Sequence, residues 1–202
     1  NIAIMPNCKE LNILKTEELV YAKEEPYKLC TFSRVMKEKG IEDAVDAVIG
    51  VNEELGRIVY TLDIYGQIDK EQTDWFANLQ TKFPDYVKYK GLVPFDNTTE
   101  VLKDYFLLLF PTKFYTEGIP GTIIDAYAAG VPVVATRWES FEDVILSCRV
   151  LGCDFRNNNC LLNKLIIYSN KTNVINKIKK EVLKEAEKYR PENVIQRLTS
   201  KL

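Results

Sequence analysis

The stretch YFLLLFPTKFYTEGIPGTIIDAYAAGVPVVAT, residues 105–136, reads as strand, loop, helix and strand in close succession. Residues 105–111 are a continuous apolar run closed by Pro111, the pattern of a strand buried on both faces of a parallel sheet. The strand-like PVVAT at 132–136 follows almost at once after the apolar helix 121–129. A turn containing glycine and proline, 118–121, opens that helix, and Glu117 and Asp125 bracket it. A helix start leaves backbone N–H groups without intrahelical acceptors and carries the positive end of the helix dipole, so it is a natural anion site. If the helix packs back on the sheet, residues 112–121 lie beyond the carboxyl ends of the strands, where open α/β sheets gather ligands. An acid at the edge of such a loop suits hydroxyl groups, and the N–H cluster suits phosphate.

Outward from this unit the same alternation continues. Strand-like runs at 2–5, 28–32, 57–64, 86–89, 106–110 and 131–135 alternate with helical patterns at 41–55, 70–82, 98–105, 121–129 and 140–147. The fold class is therefore α/β, a largely parallel sheet with helices on both faces. Residues 157–163 read as a loop, and 160–168 as either a short strand or a helix. Residues 171–189 read as a Lys/Glu-rich helix with an apolar stripe at Val174, Ile175, Ile178, Val182, Ala186 and Tyr189, and Pro191 starts another segment.

Composition narrows the chemistry. The 202 residues suit one domain, or one and a fraction, and 46% apolar content is enough for one sizeable core. With 27 basic and 29 acidic side chains there is no support for a nucleic-acid groove. Histidine is absent, which removes imidazole acid–base chemistry, His triads and His metal sites from this chain. The five cysteines, Cys8, Cys30, Cys148, Cys153 and Cys160, are odd in number and hold no Cys-x-x-Cys pair, so reduced thiols are expected rather than a disulfide framework or a metal knuckle. No run approaches the roughly 20 apolar residues of a membrane span. No charged-then-apolar leader opens the chain, and its first residue, Asn1, fits a fragment.

The segment EGIPGTIIDAYAAGVPVVAT, 117–136, resembles the donor-binding signature of retaining glycosyltransferases of family 4, which have the GT-B fold. In that family two acids separated by seven residues straddle the sugar nucleotide. Glu117 and Asp125 have that spacing, with Asp where Glu is usual. SRVMKEKG, 33–40, is similar to the family's Gly-Arg-Leu-x-x-x-Lys-Gly loop, with Arg34 and Lys39 at its cationic positions and Ser33 in place of glycine. VKYKGLVP, 87–94, is similar to the strand and loop that cradle the nucleobase through backbone contacts, which puts Leu92 at the base. IAIMPN near the start and YRPE at 189–192 extend the resemblance over nearly the whole chain, as a carboxy-terminal donor half, residues 1–202, without its acceptor domain.

The resemblance implies a Rossmann-like domain that binds a UDP- or GDP-sugar without an obligatory metal or other cofactor. Arg34 and Lys39 would hold the diphosphate, where a planar guanidinium fork and an ammonium neutralise the charge of the leaving group. Glu117 would bind the donor sugar. Gly118, Ile119, Pro120, Gly121 and Thr122 would form the phosphate-facing turn, and Asp125 would hold the ribose. Thr112, Lys113 and Tyr115 line the approach to Glu117 in sequence, and Lys37 is an alternative to Lys39. The implied setting is cell-surface or capsular polysaccharide synthesis in the cytoplasm or at the inner membrane face. The Lys-rich helix reads as a solvated face, with anionic membrane contact as the alternative. Two rival readings remain open at this level. A non-catalytic nucleotide-sugar-binding module would keep the same residues, and a glycosidase would also place two carboxylates around a glycosidic bond. The cations Arg34 and Lys39 speak against the glycosidase, which has no diphosphate to neutralise.

Overall fold

The computed structural model describes residues 7–146, 151–154, 157 and 159–199. The strand read at 2–5 and Cys148 lie outside these residues. Among the described residues one sheet contains six parallel strands: β1 (Tyr27–Phe32), β2 (Tyr60–Tyr65), β3 (Val87–Gly91), β4 (Leu107–Phe110), β5 (Val133–Thr136) and β6 (Gly152–Cys153). Their order is β3-β2-β1-β4-β5-β6. The connecting helices are α1 (Ile41–Glu54), α2 (Thr73–Gln80), α3 (Thr98–Leu102), α4 (Gly121–Ala128) and α5 (Phe141–Val144), followed by α6 (Cys160–Ser169), α7 (Thr172–Ala186) and α8 (Pro191–Thr199).

Parallel crossovers are right-handed, so the helices that carry the chain outward from β1 through β2 to β3 fall on one face. Those that return through β4 to β5 fall on the other. The packing follows this division: α1 meets α6, while α4 meets α3 and α7. The expected α/β sheet with helices on both faces is the one observed. All four residues of β4 are buried, as the unbroken apolar run requires.

Several boundaries differ from the sequence reading for identifiable reasons. β2 begins at Tyr60 rather than 57 because the side chain of buried Asn52, on α1, caps the incoming chain. Asn52 Oδ1 accepts from the N–H groups of Val59 (2.9 Å) and Tyr60 (3.0 Å), and its Nδ2 donates to the Tyr60 carbonyl at 2.9 Å. The helix read over 140–147 stops at Val144, because the Tyr127 hydroxyl accepts from Leu146 N–H and donates to the Val144 carbonyl. The helix read over 98–105 stops at Leu102, and Phe106 N–H already pairs with Lys28 of β1. Residues 70–82 split into a 3₁₀ turn, Lys70–Gln72, and α2. The open choice over 160–168 resolves to helix, so the loop read at 157–163 ends at Asn159. β6 is two residues long and escaped the sequence reading.

One buried charge stands out on the apolar face of α7. Lys179 is 1% exposed, and its Nζ donates to the Tyr105 carbonyl at 2.7 Å. Burial pushes its ammonium down to about 8, against the partial support of Cys30 and Asp104.

Candidate functional site

β1 and β4 are neighbours in the sheet, yet the chain leaves them toward opposite edges, which makes the crevice beyond their carboxyl ends the topological switch point. β1 runs into Ser33, Arg34 and the 3₁₀ turn Lys37–Lys39, and β4 runs into Pro111 and Thr112. The two exits are held together at Gly40. Its φ of +69° is left-handed, and a Cβ there would lie 1.9 Å from the Pro111 carbonyl oxygen, so glycine alone permits the approach. A second clamp is the Lys113 N–H, which donates to the Glu38 carbonyl at 2.7 Å.

This close approach brings Lys39 onto Glu117. Lys39 Nζ donates to Glu117 Oε1 in an ion pair whose side chains are only 18% and 13% exposed. Thr112 Oγ1 donates to the same oxygen at 3.0 Å, and the Phe114 and Phe110 ring centroids lie 4.9 and 5.5 Å from the ammonium. Among the described residues Glu117 Oε2 has no hydrogen-bond partner. The carboxylate is therefore fixed by one oxygen and offers the other.

Four residues on, the start of α4 is open. Pro120 caps it, and its carbonyl takes the Ile123 N–H at 3.0 Å. Among the described residues the N–H groups of Gly118, Ile119, Gly121 and Thr122 have no acceptor. A Cβ on Gly118 or Gly121 would meet nothing within 4 Å, so the space in front of them is free. Thr122 Oγ1 donates to the Phe32 carbonyl at 2.6 Å and ties this helix end to the exit of β1. Asp125, one turn further, is buried, and Lys9 Nζ donates to its Oδ1 at 2.6 Å. Burial raises the Asp125 carboxyl above its ordinary range, while the Lys9 hydrogen bond and charge pull it back. Asn7 Nδ2 reaches the Ile119 carbonyl at 3.3 Å, and Lys9 N–H donates to the Tyr189 carbonyl at 3.1 Å, so this segment wraps over the start of α4.

The two acids singled out in the sequence thus flank one helix start, each with its own lysine. Arg34 sits at the crevice with its side chain 64% exposed and its Nη1 3.7 Å from Asp69 Oδ2. Lys37 turns away toward the Trp75 ring, leaving Lys39 as the lysine of this loop that meets Glu117. Leu92 follows β3 and is 69% exposed, with exposed Phe95 three residues on. Of the residues on the approach, Thr112 contacts Glu117, Lys113 pairs instead with Asp43 on α1 at 2.7 Å, and Tyr115 faces solvent. Trp138 and Phe141 pack edge to face in the core, 5.2 Å between centroids. Among the described residues no cluster of three or more acidic or thiol side chains is placed to hold a metal ion. Lys9 was missed in the sequence; the cue available was its place two residues after the IMPN segment.

A profile of the family described as "Glycosyl transferases group 1" matches residues 26–159, about two thirds of the chain. The chain belongs to the group 1 glycosyltransferases. Among curated relatives of this glycosyltransferase chain, the amylovoran biosynthesis glycosyltransferase AmsK of Erwinia amylovora is 25% identical over 128 residues, 61% of this chain and 31% of AmsK. The GtfA subunit of the UDP-N-acetylglucosamine–peptide N-acetylglucosaminyltransferase of Streptococcus pneumoniae is 32% identical over 111 residues, 54% of this chain and 20% of GtfA. The chain therefore spans about a fifth to a third of these relatives.

Solved glycosyltransferases share the fold. Anabaena HepE, crystallised with UDP and glucose, superposes with a TM-score of 0.73 at 17% identity, over 87% of this chain and 47% of HepE. S. aureus TarM, in a complex that includes UDP, gives 0.71 at 19% identity, over 94% of this chain and 38% of TarM. The carboxy-terminal domain of the Francisella tularensis group 1 protein LpcC gives 0.70 at 15% identity, over 88% of this chain and 99% of that domain. The Rossmann-like architecture expected for a GT-B carboxy-terminal domain is the architecture observed. Among the described residues no helix is long and apolar enough to cross a membrane.

Proposed function

We propose that this chain is the donor domain of a retaining GT-B glycosyltransferase of family 4, moving a sugar from a nucleoside-diphosphate sugar to an acceptor hydroxyl. The observation that carries the proposal is the Lys39–Glu117 pair set beside the open N–H end of α4 at the β1/β4 switch point. Glu117 Oε2 takes hydroxyl groups of the donor sugar. The turn Gly118, Ile119, Pro120, Gly121 and Thr122 presents its N–H groups to the diphosphate, Pro120 shaping the turn. Asp125 takes the ribose, and the backbone around Leu92 takes the base.

Transfer breaks the bond from the anomeric carbon to the diphosphate and makes a bond from that carbon to the acceptor oxygen on the same face, the acceptor's hydroxyl proton passing to the departing diphosphate oxygen. The charge left on the diphosphate falls to Arg34, Lys39 and the helix start. An ammonium has three N–H donors, so Lys39 can hold Glu117 and a phosphate oxygen together. Preorganised donors of this kind are a large part of catalysis where charge develops in the transition state.

The uridine nucleotides named with TarM and HepE favour a UDP-sugar over a GDP-sugar. The acceptor half is contributed by sequence other than these residues, in keeping with the fraction of TarM and HepE that the chain covers. The amylovoran relative supports a role in polysaccharide assembly, and we propose the cytoplasm as its setting. Calorimetric titration of the chain with UDP, GDP and uridine tests the reading. UDP is expected to bind more tightly than uridine, with no sugar transfer by these residues alone. A chain that binds neither diphosphate overturns it.

A further inference from the structure

Lys9 and Asp125 line a cavity of about 360 Å³ together with Asn12, Phe95, Thr98 and Thr99. The threonine hydroxyls are already engaged, Thr98 Oγ1 with the Phe95 carbonyl at 3.0 Å and Thr99 Oγ1 with the Asn12 carbonyl at 2.8 Å. Glu10 and Asp96 also line the space, and the ion pair is where a cation and a carboxylate meet at its wall. Asp125 uses Oδ1 for Lys9, and among the described residues its Oδ2 has no partner. Lys9 gives one N–H to Asp125 and lies over the Phe95 ring, 4.7 Å from the centroid, and among the described residues its ammonium has no second oxygen acceptor.

The pair is thus a ready acceptor and a ready donor side by side, the complement of two adjacent hydroxyl groups. A carboxylate alone accepts from a diol but offers its oxygens nothing. We propose that Lys9 is a second ribose-binding residue of the donor site, donating to the oxygen of one ribose hydroxyl while Asp125 Oδ2 accepts from the other. This rests on the nucleotide-binding reading above. It assigns Lys9 a contact with the ligand itself, beyond neutralising a buried carboxylate.

The test compares UDP with 2′,3′-dideoxy-UDP on the wild-type chain, Lys9→Met and Asp125→Asn. Lys9→Met is expected to weaken UDP binding about tenfold, the scale of one charge-assisted hydrogen bond, and to leave the dideoxy nucleotide nearly unaffected. Equal losses for both ligands in a folded Lys9→Met protein overturn the proposal and reduce Lys9 to a neutralising role. A second measurement needs no substitution: the ε-methylene NMR resonance of Lys9 is expected to move on saturation with UDP and to stay in place with the dideoxy nucleotide. A resonance that moves with neither ligand, or equally with both, also overturns it. A wild-type chain that binds neither nucleotide fails at the earlier step and removes the donor-site reading itself.

Discussion

Lys179 offers a quantitative test of how the sheet is covered. Its ammonium is enclosed between α7 and the entrance to β4, with the Tyr105 carbonyl as its hydrogen-bond acceptor and Cys30 and Asp104 as the groups that act on its charge. A fall from 10.5 to about 8 in the folded state, at about 1.4 kcal/mol per pH unit, amounts to about 3 kcal/mol. The sign follows from proton counting. Between about pH 8 and 10.5 the unfolded chain binds the proton and the folded chain releases it, so stability rises with pH across that window. Below about 8 both states are protonated and the full penalty of burying the charge is present.

Lys179→Met removes the titration while keeping the stem of the side chain. Other groups titrate in the same window, and subtraction of the variant cancels them. Urea unfolding of both proteins from pH 7 to 10.5 is expected to show the wild type gaining about 3 kcal/mol relative to the variant, mostly above pH 8. The Tyr105 carbonyl loses its donor at every pH, which shifts the whole difference curve without changing its slope. A difference that stays flat across the range refutes the reasoning, since it would mean that the lysine keeps an ordinary, solvated ammonium.

Three further outcomes concern the site. Glu117→Gln in the full-length enzyme is expected to lower turnover far more than nucleotide affinity, whereas Asp125→Asn lowers nucleotide affinity; parallel calorimetry and donor-turnover assays separate them. Arg34→Ala is expected to weaken UDP by about 1 kcal/mol and uridine much less, measured by calorimetry, because the lost contact is aimed at phosphate from a side chain that is largely exposed. Gly40→Ala is expected to cost at least about 2 kcal/mol in thermal or urea unfolding, from the left-handed backbone together with the clash at Pro111, and to lower UDP affinity by moving Lys39.

The contiguous parts of this site could be read from sequence because their chemistry is local. The run 105–111 gives β4 by its lack of polar residues, and the turn before α4 announces itself through Gly118, Pro120 and Gly121 within a few positions of both acids. Lys9 meets Asp125 across 116 residues, a distance at which no spacing rule operates. β6 is too short to carry a period, and its pairing with Ala135 and Thr136 comes from the neighbouring strand. Lys179 is different, because the cue was present. It stands four residues after Ile175 and three before Val182, inside the apolar stripe of α7, where residue type suggested solvent and position indicated the core. The side chains of Arg34 and Leu92 are exposed, so neither burial nor periodicity marks them in the sequence.

The bond between Lys39 and Glu117 gives the proposed site a form of selectivity that neither residue has alone. While it stands, the ammonium already has its counter-ion, and a neutral sugar arriving by itself brings nothing to exchange for it. A diphosphate does, since its oxygens can share the cation while Glu117 keeps Oε1 on Lys39 and holds Oε2 toward hydroxyl groups. A free sugar, or a product stripped of its nucleotide, then meets Oε2 alone, without the phosphate contacts that Lys39 adds for the intact donor.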